Sequence, residues 1–186
     1  MIEAELKARV HHPEGVLQAL ESRAAGRAEV YQDTYYDTPD RRLAAQDREL
    51  RVRTVHGPDD TRSVLTYKTA RVDEASGSKP EHETHISNPE AVHTMLRDLG
   101  YLQAIAFEKR CRNFTFTAHG RPMLATLVRV PEIEGTFLEI ETQAQDEDEL
   151  PASLDAVRTV MTELGLTDTD FTTEQYTDAV RQYRAR

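Results

Sequence analysis

Polar and apolar residues alternate along much of this chain, which is the pattern of strands with one buried face. Residues 2–10 show it first: Glu3, Glu5 and Lys7 share one face, and small or apolar residues occupy the other. The same alternation predicts eight strands, mostly antiparallel neighbours. Their approximate bounds are residues 2–10, 28–37, 48–55, 62–69, 79–87, 101–117, 123–130 and 136–143.

Segments with apolar residues at helical spacing separate or follow these strands. Pro13 and the pair Asn88-Pro89 signal helix starts, since proline fits the first helical turn and asparagine caps it. A short helix or loop is expected at residues 41–47. The longer helices are predicted near residues 14–23, 89–99, 150–164 and 173–183.

Nearly every predicted strand has one charged face and one apolar face. An open sheet would leave the charged face in water, whereas a barrel wrapped by helices would turn it inward. The amphipathic helices need an apolar surface to cover, which favours the barrel. The sequence therefore predicts one α+β domain over residues 1–186: an eight-stranded antiparallel β-barrel within about 1–145, with helices packed outside, including C-terminal helices within about 147–186.

Composition narrows the class of protein. A chain that is 38% hydrophobic and 30% charged suits a folded domain. The net charge of −10 argues against nonspecific nucleic-acid binding. No apolar run approaches the length of a membrane span, and the N-terminus lacks the layout of a signal peptide. With a single cysteine, Cys111, the chain is expected to be cytoplasmic.

The charges on the predicted inner face fall into two classes. Guanidinium and ammonium groups suit phosphate oxygens, whereas clustered carboxylates suit a hard cation such as Mg²⁺ or Mn²⁺. Together they indicate a metal-bound polyphosphate. The cations are Lys7, Arg51, Arg53, Lys68, Arg110 and Arg112, in a register that puts Lys109 and Cys111 on the opposite face; the carboxylates are Glu3, Glu5, Glu139 and Glu141.

At these motifs the chain resembles the CYTH domain family, also called triphosphate tunnel metalloenzymes, and is most similar to its class IV adenylyl cyclase subgroup. The resemblance implies that the barrel is a tunnel for a triphosphate-containing small molecule. It also implies catalytic roles for Lys7, Glu3 and Glu5, adds Glu83 to the metal ligands, and is compatible with a homodimer. The matching motifs are Glu3-x-Glu5-x-Lys7, residues 32–39, Leu50-Arg51-Val52-Arg53, Lys68, Glu81-His82-Glu83, Arg110-Cys111-Arg112 and residues 135–141.

One departure from the family pattern concerns the seventh strand, which often carries an aspartate. Here Arg129, Glu132 or Glu134 stands near that place. The resemblance still implies cleavage of a phosphoanhydride bond in an inorganic or nucleoside triphosphate. Hydrolysis is favoured because it demands less of the pocket. Cyclisation of ATP to cyclic AMP and pyrophosphate is the alternative, and a non-catalytic polyphosphate- or nucleotide-binding module is a third reading.

Overall fold

The computed structural model describes residues 1–186, and its eight strands pair edge to edge into a closed barrel. Every neighbouring pair is antiparallel, in the order β1-β5-β4-β3-β2-β6-β7-β8. This confirms the predicted fold class. The strands are β1 (Ile2–Val10), β2 (Arg27–Asp37), β3 (Glu49–His56), β4 (Thr61–Lys68), β5 (Lys79–Ile86), β6 (Leu102–Ala118), β7 (Arg121–Arg129) and β8 (Thr136–Ala144).

Five helices follow or interrupt the strands, and three of them have a proline in their first turn. Two of these prolines, Pro13 and Pro89, are the helix starts that the sequence predicts. The side chain of Asn88 caps one by accepting a hydrogen bond from the backbone N–H of Ala91 at 3.0 Å. None of the helices is long and apolar enough to cross a membrane. The helices are α1 (Pro13–Glu21), α2 (Arg42–Ala45), α3 (Pro89–Asp98), α4 (Leu150–Glu163) and α5 (Tyr176–Arg184).

The last helix begins at Tyr176 rather than near residue 173 as predicted. Before it, Phe171 forms an isolated β-bridge with Ala8 of β1, and the backbone N–H of Thr172 donates to the carbonyl of Lys7 at 2.9 Å. These contacts with β1 use backbone groups that a longer helix would need for its own hydrogen bonds. They also hold the chain extended across β1, so the helix begins later.

The largest apolar core lies outside the barrel, between its wall and two helices. Leu20 of α1 and Val157 of α4 are fully buried there against Phe114, Leu138 and Ile140 from the strands. Because side chains alternate along a strand, burying this outer set turns the intervening charged residues inward. Packing under α1 and α4 therefore determines which face of the strands beneath them lines the cavity.

This packing predicts the effect of removing one core side chain. Leu20→Ala should lower the free energy of unfolding by about 2–5 kcal/mol, since Leu20 has no exposed surface and its loss leaves a cavity. Leu99→Ala is the matched control, because Leu99 is 75% exposed. Urea denaturation followed by circular dichroism measures both. Equal losses in the two variants would contradict the burial of α1 against the barrel.

Candidate active site

The barrel encloses a cavity of about 440 Å³, and every one of the eight strands contributes side chains to its lining. Only six of the 32 lining residues are hydrophobic. Among them are all eight of the cations and carboxylates that the sequence predicts for β1, β3, β4 and β8: Glu3, Glu5, Lys7, Arg51, Arg53, Lys68, Glu139 and Glu141. The predicted convergence of charges from separate strands is therefore present for these groups.

Three carboxylates form an acidic cluster, defined here as Glu3, Glu5 and Glu141. Each offers one oxygen atom, and these oxygens lie within 4.8 Å of one another. The cluster follows from strand register: Glu5 on β1 lies directly opposite Glu141 on β8, and Glu3 is two residues earlier on the same face. Such an arrangement can hold one divalent cation.

Burial and mutual repulsion shift the acid–base properties of this cluster. Burial, with the nearby charges of Glu139 and Glu3, raises the pKa of Glu5, and burial beside Glu3 and Glu5 raises the pKa of Glu141. Burial also opposes ionisation of Glu3, but the charge and hydrogen bond of Lys68, with smaller contributions from Arg51 and Glu141, together lower the pKa of that carboxyl. Hard oxygen donors that repel one another when ionised fit Mg²⁺ or Mn²⁺, since a divalent cation offsets the repulsion.

Two other predicted metal ligands lie outside this cluster. Glu139 lies opposite Lys7 on the neighbouring strand, and its carboxylate is 3.9 Å from the Lys109 ammonium. Glu83 lines the cavity but is exposed, and it accepts a hydrogen bond from the Thr66 hydroxyl at 3.0 Å. The structure thus brings Glu139 beside the cationic wall and leaves Glu83 apart from the cluster.

The cations nearest the cluster are Lys68 and Arg51. Lys68 contacts Glu3 and lies 2.9 Å from a carboxylate oxygen of Glu81. The Arg51 guanidinium donates to Thr66 at 3.3 Å, whereas its buried Nε has no hydrogen-bond partner. An unpaired buried donor on a charged group is costly unless something accepts from it. A phosphate oxygen in the cavity would be a suitable acceptor.

Arg53 is placed inside as predicted but is already paired. Its guanidinium donates to both carboxylate oxygens of Asp33 on β2, at 2.6 and 2.7 Å, and Asp33 is almost fully buried. Although burial opposes ionisation, the charge and hydrogen bonds of Arg53 hold the pKa of Asp33 well below its usual range. Sequence reasoning did not single out Asp33, although it lies within the motif at residues 32–39 and opposite Arg53 on the neighbouring strand.

A second pair of cations lies farther along the cavity. The Lys7 ammonium donates to the backbone carbonyl of Glu174 and sits 4.3 Å from the ring centroid of Tyr176; the Lys109 ammonium sits 4.4 Å from the same centroid. Burial lowers the pKa of Lys7, against the opposing effect of Glu139. Lys109 therefore belongs to the cavity wall.

The prediction that Arg110 and Arg112 face the interior is wrong. Arg110 has a side chain that is 69% exposed and pairs with Glu108 at 3.2 Å, and Arg112 pairs with Glu21 of α1 at 2.7 Å. Lys109, 8% exposed, faces inward in their place.

The register error has a physical origin in β6. Ile105 and Phe107, on the inner face, pack against α5. Phe114, on the outer face, packs under α1. Helices thus cover opposite faces of the two halves of one long strand. The apolar pattern changes phase between those halves, so it could not fix which of the adjacent charged residues point inward.

Comparison with known proteins gives the family of the chain. The CYTH domain model matches residues 1–176. The chain belongs to the CYTH domain family. It is 30% identical over 145 residues to adenylate cyclase CyaB of Aeromonas hydrophila, covering 78% of this chain and 69% of that protein.

Solved structures show the same fold. A protein from Pyrococcus horikoshii superposes with a TM-score of 0.83 at 25% identity, covering 97% of this chain and 98% of that one. HpAC1 from Hippeastrum, for which a dominant triphosphatase activity is described, superposes with a TM-score of 0.64 at 17% identity, covering 97% and 95%.

The seventh strand of this CYTH domain contributes no carboxylate to the cavity. Its cavity-lining side chains are Leu124 and Thr126. Of the residues considered near the expected aspartate, Arg129 is exposed, and Glu132 is bonded to Arg184 of α5 at 2.6 and 2.7 Å. The acidic cluster is therefore built from β1 and β8 alone.

The Asp33–Arg53 pair predicts a pH-dependent contribution to stability. Asp33→Asn should lower the free energy of unfolding at pH 7 by about 3–5 kcal/mol, because it leaves a buried guanidinium without its partner. The pKa of Asp33 is depressed by folding, so this contribution is present above about pH 4 and is lost as the pH falls toward the lower folded value. The difference from wild type should shrink below about pH 4 accordingly.

Urea denaturation at pH 7 and at pH 3 measures this difference. Asp59→Asn is the control, since Asp59 is exposed and makes no ion pair. If the unfolding free energies of Asp33→Asn and wild type differ by the same amount at both pH values, Asp33 is not the source of the acid-sensitive stability.

Proposed function

We propose that this CYTH protein is a divalent-metal-dependent hydrolase that cleaves a phosphoanhydride bond of a triphosphate. The observation that carries the proposal is the juxtaposition, within one cavity, of the acidic cluster with the Arg51 guanidinium and the ammonium groups of Lys7, Lys68 and Lys109. A metal-bound polyphosphate needs both kinds of group within a few ångströms. The volume of about 440 Å³ lies within the range of small-molecule sites.

Glu3, Glu5 and Glu141 would hold Mg²⁺ or Mn²⁺. When bound, such a cation neutralises charge on phosphoryl oxygens and lowers the pKa of a coordinated water molecule. The cluster is formed by two adjacent strands, so its oxygens are held in place before any ligand enters. That rigidity reduces the reorganisation needed during reaction.

The cations of the wall would bind and orient the phosphate chain. Arg51 has a free buried Nε–H to donate, and Lys7 and Lys109 carry ammonium groups that face the cavity beside Tyr176. Arg53, whose donors are committed to Asp33, would act by holding the wall in place and by its positive charge. Cations that are fixed at several points around the phosphate chain would align it for attack at phosphorus.

The lining of the cavity favours hydrolysis of a polyphosphate over cyclisation of ATP. With six hydrophobic residues among 32, the wall offers much charge and little apolar surface for a nucleobase. The triphosphatase activity described for HpAC1 supports the same choice. The identity to an adenylate cyclase, CyaB, supports the alternative, in which the ribose 3′-hydroxyl attacks the α-phosphorus and pyrophosphate leaves.

A product assay tests the proposed reaction. The purified protein is incubated with tripolyphosphate and with ATP, each with Mg²⁺ or Mn²⁺, and the products are followed by phosphorus NMR. We expect orthophosphate release. Cyclic AMP plus pyrophosphate would instead identify a cyclase, and binding without any product would identify a binding module; either result would contradict hydrolysis.

Variants of the cluster and of Lys7 test the site. Glu3→Ala, Glu141→Ala and Lys7→Ala should each lose most activity while still folding, since each removes a metal-binding or phosphate-binding group. Activity under saturating metal and the far-ultraviolet circular dichroism spectrum are measured together. Wild-type turnover by a folded variant would remove that residue from the proposed site.

Two adjacent residues of β6 give a sharper comparison. Lys109→Ala should raise the KM for tripolyphosphate about tenfold or more, because it removes a cation from the cavity wall. Arg110→Ala changes the same charge one residue away on the solvent side and should leave KM within about twofold. The reverse order of effects would show that β6 has the other register.

A further inference from the structure

The C-terminal segment, defined here as residues 171–186, contributes part of the cavity wall. Besides the contacts of Phe171 and Thr172 with β1, Arg184 donates to both carboxylate oxygens of Glu132 and to the carbonyl of Ala106. The segment is thus fixed to the barrel at both of its ends. Between them, Thr172, Thr173, Gln175, Tyr176 and Thr177 line the cavity.

Tyr176 is the group of this segment that lies deepest in the cavity wall. It is 7% exposed, and its ring packs edge-on against Phe137 with centroids 5.4 Å apart. The ammonium groups of Lys7 and Lys109 both lie over this ring. The Tyr176 ring is therefore a shared contact of the two cavity lysines.

The hydroxyl of Tyr176 is buried beside the Glu139 carboxylate, and no partner lies at full hydrogen-bond geometry to it. Burial beside the carboxylates of Glu139 and Glu5 raises the pKa of this hydroxyl, so it remains a neutral O–H donor. Buried tyrosine hydroxyls normally find a partner, and an unpaired one destabilises the folded protein. A purely packing role would be served equally well by phenylalanine.

We propose that the Tyr176 hydroxyl is a substrate-binding group that donates a hydrogen bond to a phosphate oxygen of a triphosphate held by Lys7 and Lys109. This inference rests on the proposed function and deepens it, since it assigns a residue outside the barrel strands to the phosphate site. The ring orients the two ammonium groups, and the hydroxyl supplies a donor directed at the same phosphate. The C-terminal segment is then part of the site rather than a support for it.

Tyr176→Phe tests this role, because it removes only the hydroxyl and keeps the ring. Binding of a non-hydrolysable methylene-bridged triphosphate with Mg²⁺ is measured by calorimetry, and the melting temperature is measured without ligand. We expect Kd to rise about tenfold, the loss of one hydrogen bond to a charged acceptor. We also expect the melting temperature of the free protein to stay the same or rise, since the hydroxyl has no partner there.

Tyr183→Phe is the matched control. Tyr183 lies on the same helix but is 53% exposed, so its variant should keep the wild-type Kd. A wild-type Kd for Tyr176→Phe, with wild-type binding intact, would overturn this inference and leave the proposed function standing. A lower melting temperature for Tyr176→Phe would also count against it, because it would show that the hydroxyl is paired within the protein. Absence of triphosphate binding by the wild-type protein would overturn both proposals.

Discussion

Charge buried inside the barrel is the constraint on which the rest of this structure depends. Ionised groups removed from water destabilise a protein by several kcal/mol each unless they are paired or bound by a ligand. Here the inner face is charged on strand after strand, and the pairing is uneven: Asp33 and Arg53 satisfy each other, whereas the acidic cluster crowds three carboxylates together. The unsatisfied part of that charge is what a metal ion and an anion can bind.

The fold resolves this constraint by separating two kinds of packing. The largest apolar core lies outside the barrel, where α1 and α4 cover the wall, and a smaller apolar cluster on the inner face packs against α5. The interior is then free to hold ion pairs and a cavity. Closure of the sheet also removes the free strand edges that an open sheet of this size would expose.

The sequence predicts this architecture well where each strand has one apolar and one charged face throughout. β1 and β8 are such strands, and their inner residues, Glu3, Glu5, Lys7 and Glu141, all line the cavity as expected. β6 is different, because helices cover its outer face in one half and its inner face in the other. Its alternation could not decide between Lys109 and Arg110.

Two site residues could not be read from local pattern at all. The pairing of Asp33 with Arg53 depends on the register of β2 against β3, which no alternation within one strand specifies. Tyr176 reaches the cavity only because Phe171 and Thr172 pair with β1 and carry the chain back to the barrel. Contacts between segments far apart in the sequence determine both positions.

The most direct measurement of the central claim is a crystal structure of the protein with Mn²⁺ and the methylene-bridged triphosphate, using the anomalous signal of manganese. The account predicts an anomalous peak about 2.0–2.2 Å from carboxylate oxygens of Glu3, Glu5 and Glu141, with the phosphate chain extending from it toward Lys7 and Lys109. Manganese and triphosphate bound only on the outer surface, with an empty cavity, would contradict it.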